Sequence, residues 1–586
     1  MAKREHWSSR RAFILAAIGS AIGLGNIWRF PFKCYENGGG AFLVAYIIAM
    51  ITAGIPLLIM ELSLGHRFKL AAPLSFRKIG KKFEWIGWWA VFVGFVIVCY
   101  YAVVMAWGLN YSVFSFTQAW GEDTSNFFFN KFLGLTEGPY KLGGIQVPIM
   151  ISLIVGWILI VGAVWKGAKT VSKVVYVTVF LPWLLLIVFV IRGVTLPGSM
   201  NGIIYYLQPH FKELLNPSVW IAAYGQIFYS LSIGFGIMIA YASFLHKDAE
   251  IINSSIIITL SNCTTSFIGG FAVFGSLGYY AHISGQAVEN VLKGGPGLAF
   301  ISYPTIINHL PFARFFGIIF FLMLLTLAID SAFSLLESVS SAMRDKFGWS
   351  IKRSNFTVAS IALVIGLIFT TGAGLFWLDI VDKWIEFFGL CAVVLVECVV
   401  LGWFFKLDKL REYANAYSEI KIGKLWNYLI KFILPVIIFA LIITETIKLI
   451  TKGYENYPTS ALLIAGWGVV IILPIIALIF AGTKRKKVVP DSEVVIPKTP
   501  FIGNLGYVRM NRYLNCILIL AVLMAILLIL SNYVESLKPL IIPAIGICIF
   551  LVLVGGAIYF TIISIKDSQF RDKWAEKTLG KDEYEV

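Results

Sequence analysis

The sequence predicts an all-α integral membrane protein of about 14 transmembrane helices, ten of them forming a 5+5 inverted repeat with broken helices 1 and 6. Three observations predict it. The chain is 59% hydrophobic and only 14% charged, with 46 Phe and 18 Trp, more apolar surface than a soluble core can hide. Apolar runs of roughly 20 residues, the length that crosses a bilayer, recur along the chain. Two runs are interrupted at matching places, the first by Gly19, Gly23 and Gly25 and the sixth by SLSIGFG from Ser230 to Gly236. Interrupted helices in corresponding positions of two five-helix halves mark a transporter with its site at the midplane.

In order, the expected spans are 11–35, 41–65, 84–116, 146–165, 170–192, 219–245, 251–280, 313–343, 355–371, 375–405, 426–450, 459–482, 514–533 and 539–564. MAKREHW is basic, but the apolar run after it is too long for a signal peptide and has no small-residue cleavage site. The net charge of +16 is a topology signal, not a nucleic-acid one. Arg4, Arg10 and Arg11, then Arg67 to Lys82, then Lys406 to Lys424, then Lys484 to Lys487 fall between alternate spans. Basic loops stay in the cytoplasm, so both termini are expected there, in a multi-pass protein of the cell (plasma) membrane. Cys34, Cys99, Cys263, Cys391, Cys398, Cys516 and Cys548 all lie in apolar runs and make neither a disulfide framework nor a metal motif.

The stretch GSAIGLGNIWRFP, Gly19 to Pro31, carries the most chemistry. Each glycine costs a helix about 1 kcal/mol against alanine. Loosened backbone at membrane depth survives only where protein buries it or it lines a polar cavity. Two readings are open: a close-packing GxxxG of Gly19 and Gly23, or a broken helix whose free carbonyls and amides bind ions and a small solute. Asp330 sits well inside the eighth span, where a carboxylate is costly unless paired. It is either a hydrogen-bonded structural residue or an ion ligand.

Longer motifs then carry a resemblance: REHWSSR from Arg4, GLGNIWRFPF from Gly23, ENGGGAF from Glu36, GIPLLIMELSLG from Gly54, RGVTLPG from Arg192, WIAAYGQIFYSLSIGFG from Trp220, KGGPGLAFISYP from Lys293 and LAIDSAFSLLE from Leu327. The chain resembles the neurotransmitter:sodium symporter family, whose fold is the LeuT-type repeat. The resemblance covers about the first 405 residues. It implies three regions: 1–405, the ten-helix transport core; 406–483, helices 11 and 12; and 484–586, a basic linker with two extra helices and a cytoplasmic tail. The extension also reads as lipid-facing packing or assembly, so a homo-oligomer is a possible arrangement.

The resemblance implies two sodium sites. Sodium 1 would take Ala21, Asn26, Ser230 and Asn262, with an oxygen from the substrate's carboxylate. Sodium 2 would take the carbonyls of Gly19, Ile22 and Leu327 with the Asp330 and Ser331 side chains. The substrate pocket would comprise Ser20, Ala21, Gly23, Gly25, Ile97, Tyr101, Phe228, Tyr229, Ser230, Ser232, Phe235, Ser331 and Leu335. Relatives that carry amines lacking a carboxylate have an aspartate at the position of Gly23. A glycine leaves room for the substrate's own carboxylate, and an uncharged pocket implies a neutral amino acid.

Relatives that need no chloride have an acid at the position of Ser266, and the seventh span holds none from Ile252 to Tyr280. A chloride site of Tyr46, Gln226, Ser230, Asn262 and Ser266 is therefore implied; interhelical hydrogen bonding is the other reading of these residues. Arg29 with Asp382 and Arg4 with Asp345 would close the outer and inner gates. Phe244 replaces a tyrosine that usually supports the inner pair, and Pro182 lies about one turn later in the fifth span than in many bacterial relatives. The expected function is sodium-coupled, chloride-dependent import of a neutral amino acid by alternating access, with an amino-acid sensor on the same fold as the alternative. No nucleophile–base cluster or HExxH suggests an enzyme, and the expected partners are the substrate and the bilayer.

Overall fold

A computed structural model describes residues 5–208, 210–288, 297–486, 494, 496–497, 501 and 538–579. Every named element among the described residues is a helix, so the all-α class holds. Among the described residues, ten helices are long and apolar enough to cross a membrane, or eleven when the pair Arg10–Ala21 and Gly25–Glu36, bent by 50°, counts as one. That is fewer than about fourteen. The fourth expected span is a helix of only 17 residues, Val147–Ala163. The sixth is split into Pro217–Ser230 and Ile237–Ser243. The expected span 514–533, with Cys516, lies outside the described residues.

The helices form an inner and an outer layer. The apolar stretch of Lys81–Phe114 is 89% buried within the protein, whereas that of Thr459–Gly482 is 22% buried and faces outward. Lys81–Phe114 packs along Ala313–Phe347, and the site forms where the two broken helices meet this pair. The last helix, Lys538–Leu579, packs on Ile252–Ser284 and Ser199–Leu207. Its approach is close: a Cβ at Gly546 would come within 2.7 Å of Leu207.

Local chemistry explains both breaks. Ser9 caps the first helix by accepting from Ala12 N, and the helix runs to Ala21. Ile22 is extended (φ −88°, ψ 103°), and the chain re-enters through a wide turn at Gly25–Arg29. Pro31 then sits near the start of Phe30–Glu36, where its missing N–H costs least. Asn26 Oδ1 accepts from Gly23 N at 2.9 Å, satisfying a donor that the break exposes. In the sixth helix, Ser232, Gly234 and Gly236 have φ of 55°, 80° and 69°, and left-handed residues cannot continue a right-handed helix. Ser232 is the unusual one, since only glycine adopts this region freely. Its hydroxyl donates to Ser20 O at 3.1 Å, which ties the two breaks together.

Candidate functional site

A small cavity lies where the breaks meet. Every expected pocket residue except Phe228 lines it, and Asn26 and Ile237 join them. Phe228 is fully buried and packs edge-on against Tyr224, with ring centroids 6.3 Å apart. Successive helical residues point about 100° apart, so Tyr229 facing the cavity turns Phe228 away. No lining side chain carries a charge. Tyr101 accepts from Leu24 N at 3.3 Å, leaving its own proton free to donate. A Cβ at Gly23 would lie 2.5 Å from Ser331 Oγ and 3.0 Å from Tyr101 Oη, so position 23 has no room for a side chain in this conformation.

Beside the cavity, Gly19 faces Asp330 so closely that a Cβ at 19 would run into its carboxylate and within 3.0 Å of Val179 Cγ2. Asp330 is 1% exposed, and its Oδ1 has no hydrogen-bond partner. A buried carboxylate with Oδ2 facing Gly19 and Oδ1 without a partner, beside the C-terminal carbonyls of a helix, suits a hard cation, which takes oxygen ligands. Ser331 turns toward the cavity instead, with its hydroxyl donating to Ser20 O at 3.3 Å. Thr178 of the fifth span also approaches Asp330, a neighbour that the sequence reading missed. The signal was Pro182, which removes a donor and crowds the carbonyl four residues before it. The helix is interrupted at Val179, next to Thr178.

The remaining polar residues form one buried network. Asn26 Nδ2 donates to Asn262 Oδ1 and to Ser266 Oγ, each at 2.8 Å, and Asn262 Nδ2 donates to Ser230 Oγ at 2.9 Å. Ser230 and Ser266 thus act as acceptors and keep their hydroxyl protons. Tyr46 Oη faces both serines and has no hydrogen-bond partner. Gln226 Nε2 donates to Gly25 O at 3.3 Å, and its Oε1 has no partner. Three hydroxyl groups from three helices thus converge with protons available to donate. That donor set suits an anion. The asparagine oxygens expected at sodium 1 each accept one hydrogen bond, Asn26 Oδ1 from Gly23 N and Asn262 Oδ1 from Asn26 Nδ2, and each keeps a second lone pair.

At the outer gate Arg29 meets two carboxylates, the expected Asp382 and also Glu386. Arg29 Nη2 pairs directly with Glu386, while Arg29 Nη1 is 4.0 Å from Asp382. Tyr100 Oη donates to Asp382 Oδ1 at 2.6 Å, which draws that carboxylate aside. The Arg29 guanidinium lies 4.3 Å from the Tyr229 ring centroid, above the cavity. At the inner end Arg4 lies outside the described residues, and Asp345 accepts from Ala71 N at 2.7 Å. The neighbouring Arg344 pairs with Glu337 and, at 3.7 Å, with Glu5, and lies over the Phe244 ring. Trp7 closes the same end by donating from Nε1 to Tyr241 O at 2.8 Å.

The sequence model of the Sodium:neurotransmitter symporter family matches residues 4–126 and 121–487. An uncharacterised sodium-dependent transporter of Methanocaldococcus jannaschii is 40% identical over 494 residues, 83% of this chain and 99% of the relative. A sodium-dependent dopamine transporter of Caenorhabditis elegans is 33% identical, covering 78% of this chain and 83% of the relative. A sodium- and chloride-dependent GABA transporter 2 of Mus musculus is 33% identical, covering 78% and 82%.

Proposed function

The chain belongs to the sodium:neurotransmitter symporter family and is a multi-pass, sodium-dependent membrane transporter, and from that premise we propose that it imports a neutral amino acid with sodium and chloride by alternating access. The observation that carries the substrate class is the uncharged cavity around Gly23. An amino acid held there would bring both of its own charges. Its carboxylate would meet the Tyr101 hydroxyl and the first sodium, and its ammonium would meet the carbonyls at the end of each half-helix, where the dipole favours a cation.

The chloride part rests on the converging protons of Tyr46, Ser230 and Ser266. With Gln226 and Asn262 they would hold the anion and offset the charge of two sodium ions in a medium of low dielectric. Asp330 and Gly19 would anchor the second sodium. Residues 1–405 would form the transport core, 406–483 helices 11 and 12, and 484–586 an accessory region. The termini would face the cytoplasm across the plasma membrane.

The test is uptake of a labelled pool of neutral amino acids into proteoliposomes under an inward sodium gradient, in chloride and in gluconate. Sodium-driven uptake that falls in gluconate supports the whole reading. Equal uptake in both removes chloride. Sodium-dependent binding without uptake turns the reading to a sensor.

A further inference from the structure

Two carboxyl groups beneath the break in the sixth span have no role in the site described above. Glu61 and Glu397 are 1% and 0% exposed. Glu61 Oε1 accepts from Gly234 N at 2.6 Å, at the left-handed residue in the middle of the break. Its Oε2 has no partner, and neither oxygen of Glu397 has one. Helix 10 packs directly against the break, since a Cβ at Gly234 would lie 2.8 Å from Val394 and 2.9 Å from Leu390. Glu397 follows Val394 by one turn on that helix, within electrostatic reach of Glu61.

No base is available to neutralise them among the described residues. On Glu61's own helix, His66 is bound to Tyr413 Oη and to His246 O, and the Arg67 guanidinium lies against the rings of Phe68, Phe405 and Tyr413. Lys431 of helix 11 lies over the Trp403 ring, 4.9 Å from its centroid. Glu445 of helix 11 pairs with Lys383 at 2.5 Å, and Glu84 of helix 3 with Lys346 at 2.6 Å. The seventh span carries no acid or base from Ile252 to Tyr280 apart from thiol and phenol groups. The Cys398 thiol also lies within electrostatic reach of both carboxyls.

We propose that Glu61 and Glu397 form a proton-binding site in which Glu397 is held as the neutral acid while Glu61 anchors the Gly234 amide. An ionised Glu397 would have neither donor nor cation in a medium that penalises bare charge heavily, and two neighbouring carboxylates do not ionise independently. Glu61 differs because an N–H already points at it. The bound species is a proton, taken from water when the carboxylate becomes the acid. Among the described residues, no group of three or more His, Cys, Asp or Glu is arranged to hold a metal. Five other buried glutamates, Glu84, Glu250, Glu337, Glu386 and Glu445, each pair with a basic side chain, which Glu397 does not.

The experiment is infrared spectroscopy of the full chain in lipid nanodiscs, with the glutamate side-chain carboxyls labelled with carbon-13 and no amino acid added. The label separates glutamate from Asp330. A label-shifted acid C=O band is expected at neutral pH, where an ordinary glutamate, with a pKa of about 4.3, is ionised. The band should be lost in Glu397→Gln and retained in Glu386→Gln. Absence of the labelled band in the wild type overturns the proposal, and so does a band that survives Glu397→Gln. Should Glu397→Gln fail to fold, titration of the wild-type band decides: loss of the band below neutral pH overturns the proposal, and its persistence above neutral pH supports it. Because the measurement needs no substrate, a failed uptake assay leaves its outcome intact.

Discussion

Arg29 closes the outer side of the cavity against Glu386, one helical turn beyond Asp382. Both partners of the close pair are mostly buried, with side chains 10% and 6% exposed. Removing one partner of a buried pair costs about 3–5 kcal/mol, and every 1.4 kcal/mol is about tenfold in an equilibrium. Glu386→Gln is therefore expected to lower apparent substrate affinity by roughly tenfold or more. Asp382→Asn, which loses a 4.0 Å contact, should lower it only by about twofold to fivefold. Substrate dissociation rates from the purified protein check the order; a larger effect from Asp382→Asn would restore Asp382 as the main latch.

Asp330→Asn removes the charge that faces Gly19. Sodium activation of uptake is expected to shift to concentrations about tenfold higher or more, because the amide keeps one oxygen and loses the attraction. An unchanged sodium titration would reject the second site.

Gly19→Ala tests the same site through shape. The added methyl would occupy the space of the Asp330 carboxylate. Overpacking of this kind costs roughly 1–3 kcal/mol. Sodium-dependent thermal stabilisation should be strongly reduced, while the melting temperature without sodium changes far less. Full sodium stabilisation in this variant would mean that the cation binds elsewhere.

Ser266→Glu places a fixed negative charge where the hydroxyls of Tyr46, Ser230 and Ser266 converge. Uptake in gluconate is expected to reach the level seen in chloride. Chloride dependence that persists in this variant would separate Ser266 from the anion site.

The residues that mattered were legible to different degrees. Both breaks could be read directly, because clustered glycines weaken a helix wherever they fall in a long apolar run. The pocket followed from them. Glu386 could not be read, because residues 382 and 386 share a helix face and Arg29 can reach either. The choice falls to Tyr100, 282 positions away, which takes Asp382. Phe228 falls outside the cavity lining because helical phase up to the break decides which of two adjacent aromatics faces it. Thr178 was missed because its meeting with Asp330 depends on how the fifth span passes the eighth.

By itself the sequence determined that this is a helical membrane protein, where its helices break, and which oxygen- and proton-bearing side chains gather there. Composition, hydrophobic run length and glycine are local properties with local physical consequences. Tertiary structure alone decided which carboxylate latches Arg29, and which hydroxyls keep free protons. It also decided which carboxyls, Glu61 and Glu397, are sealed beneath a break with no cation beside them. Those are outcomes of competition among groups far apart in the chain, and the competition is settled only when packing fixes their distances.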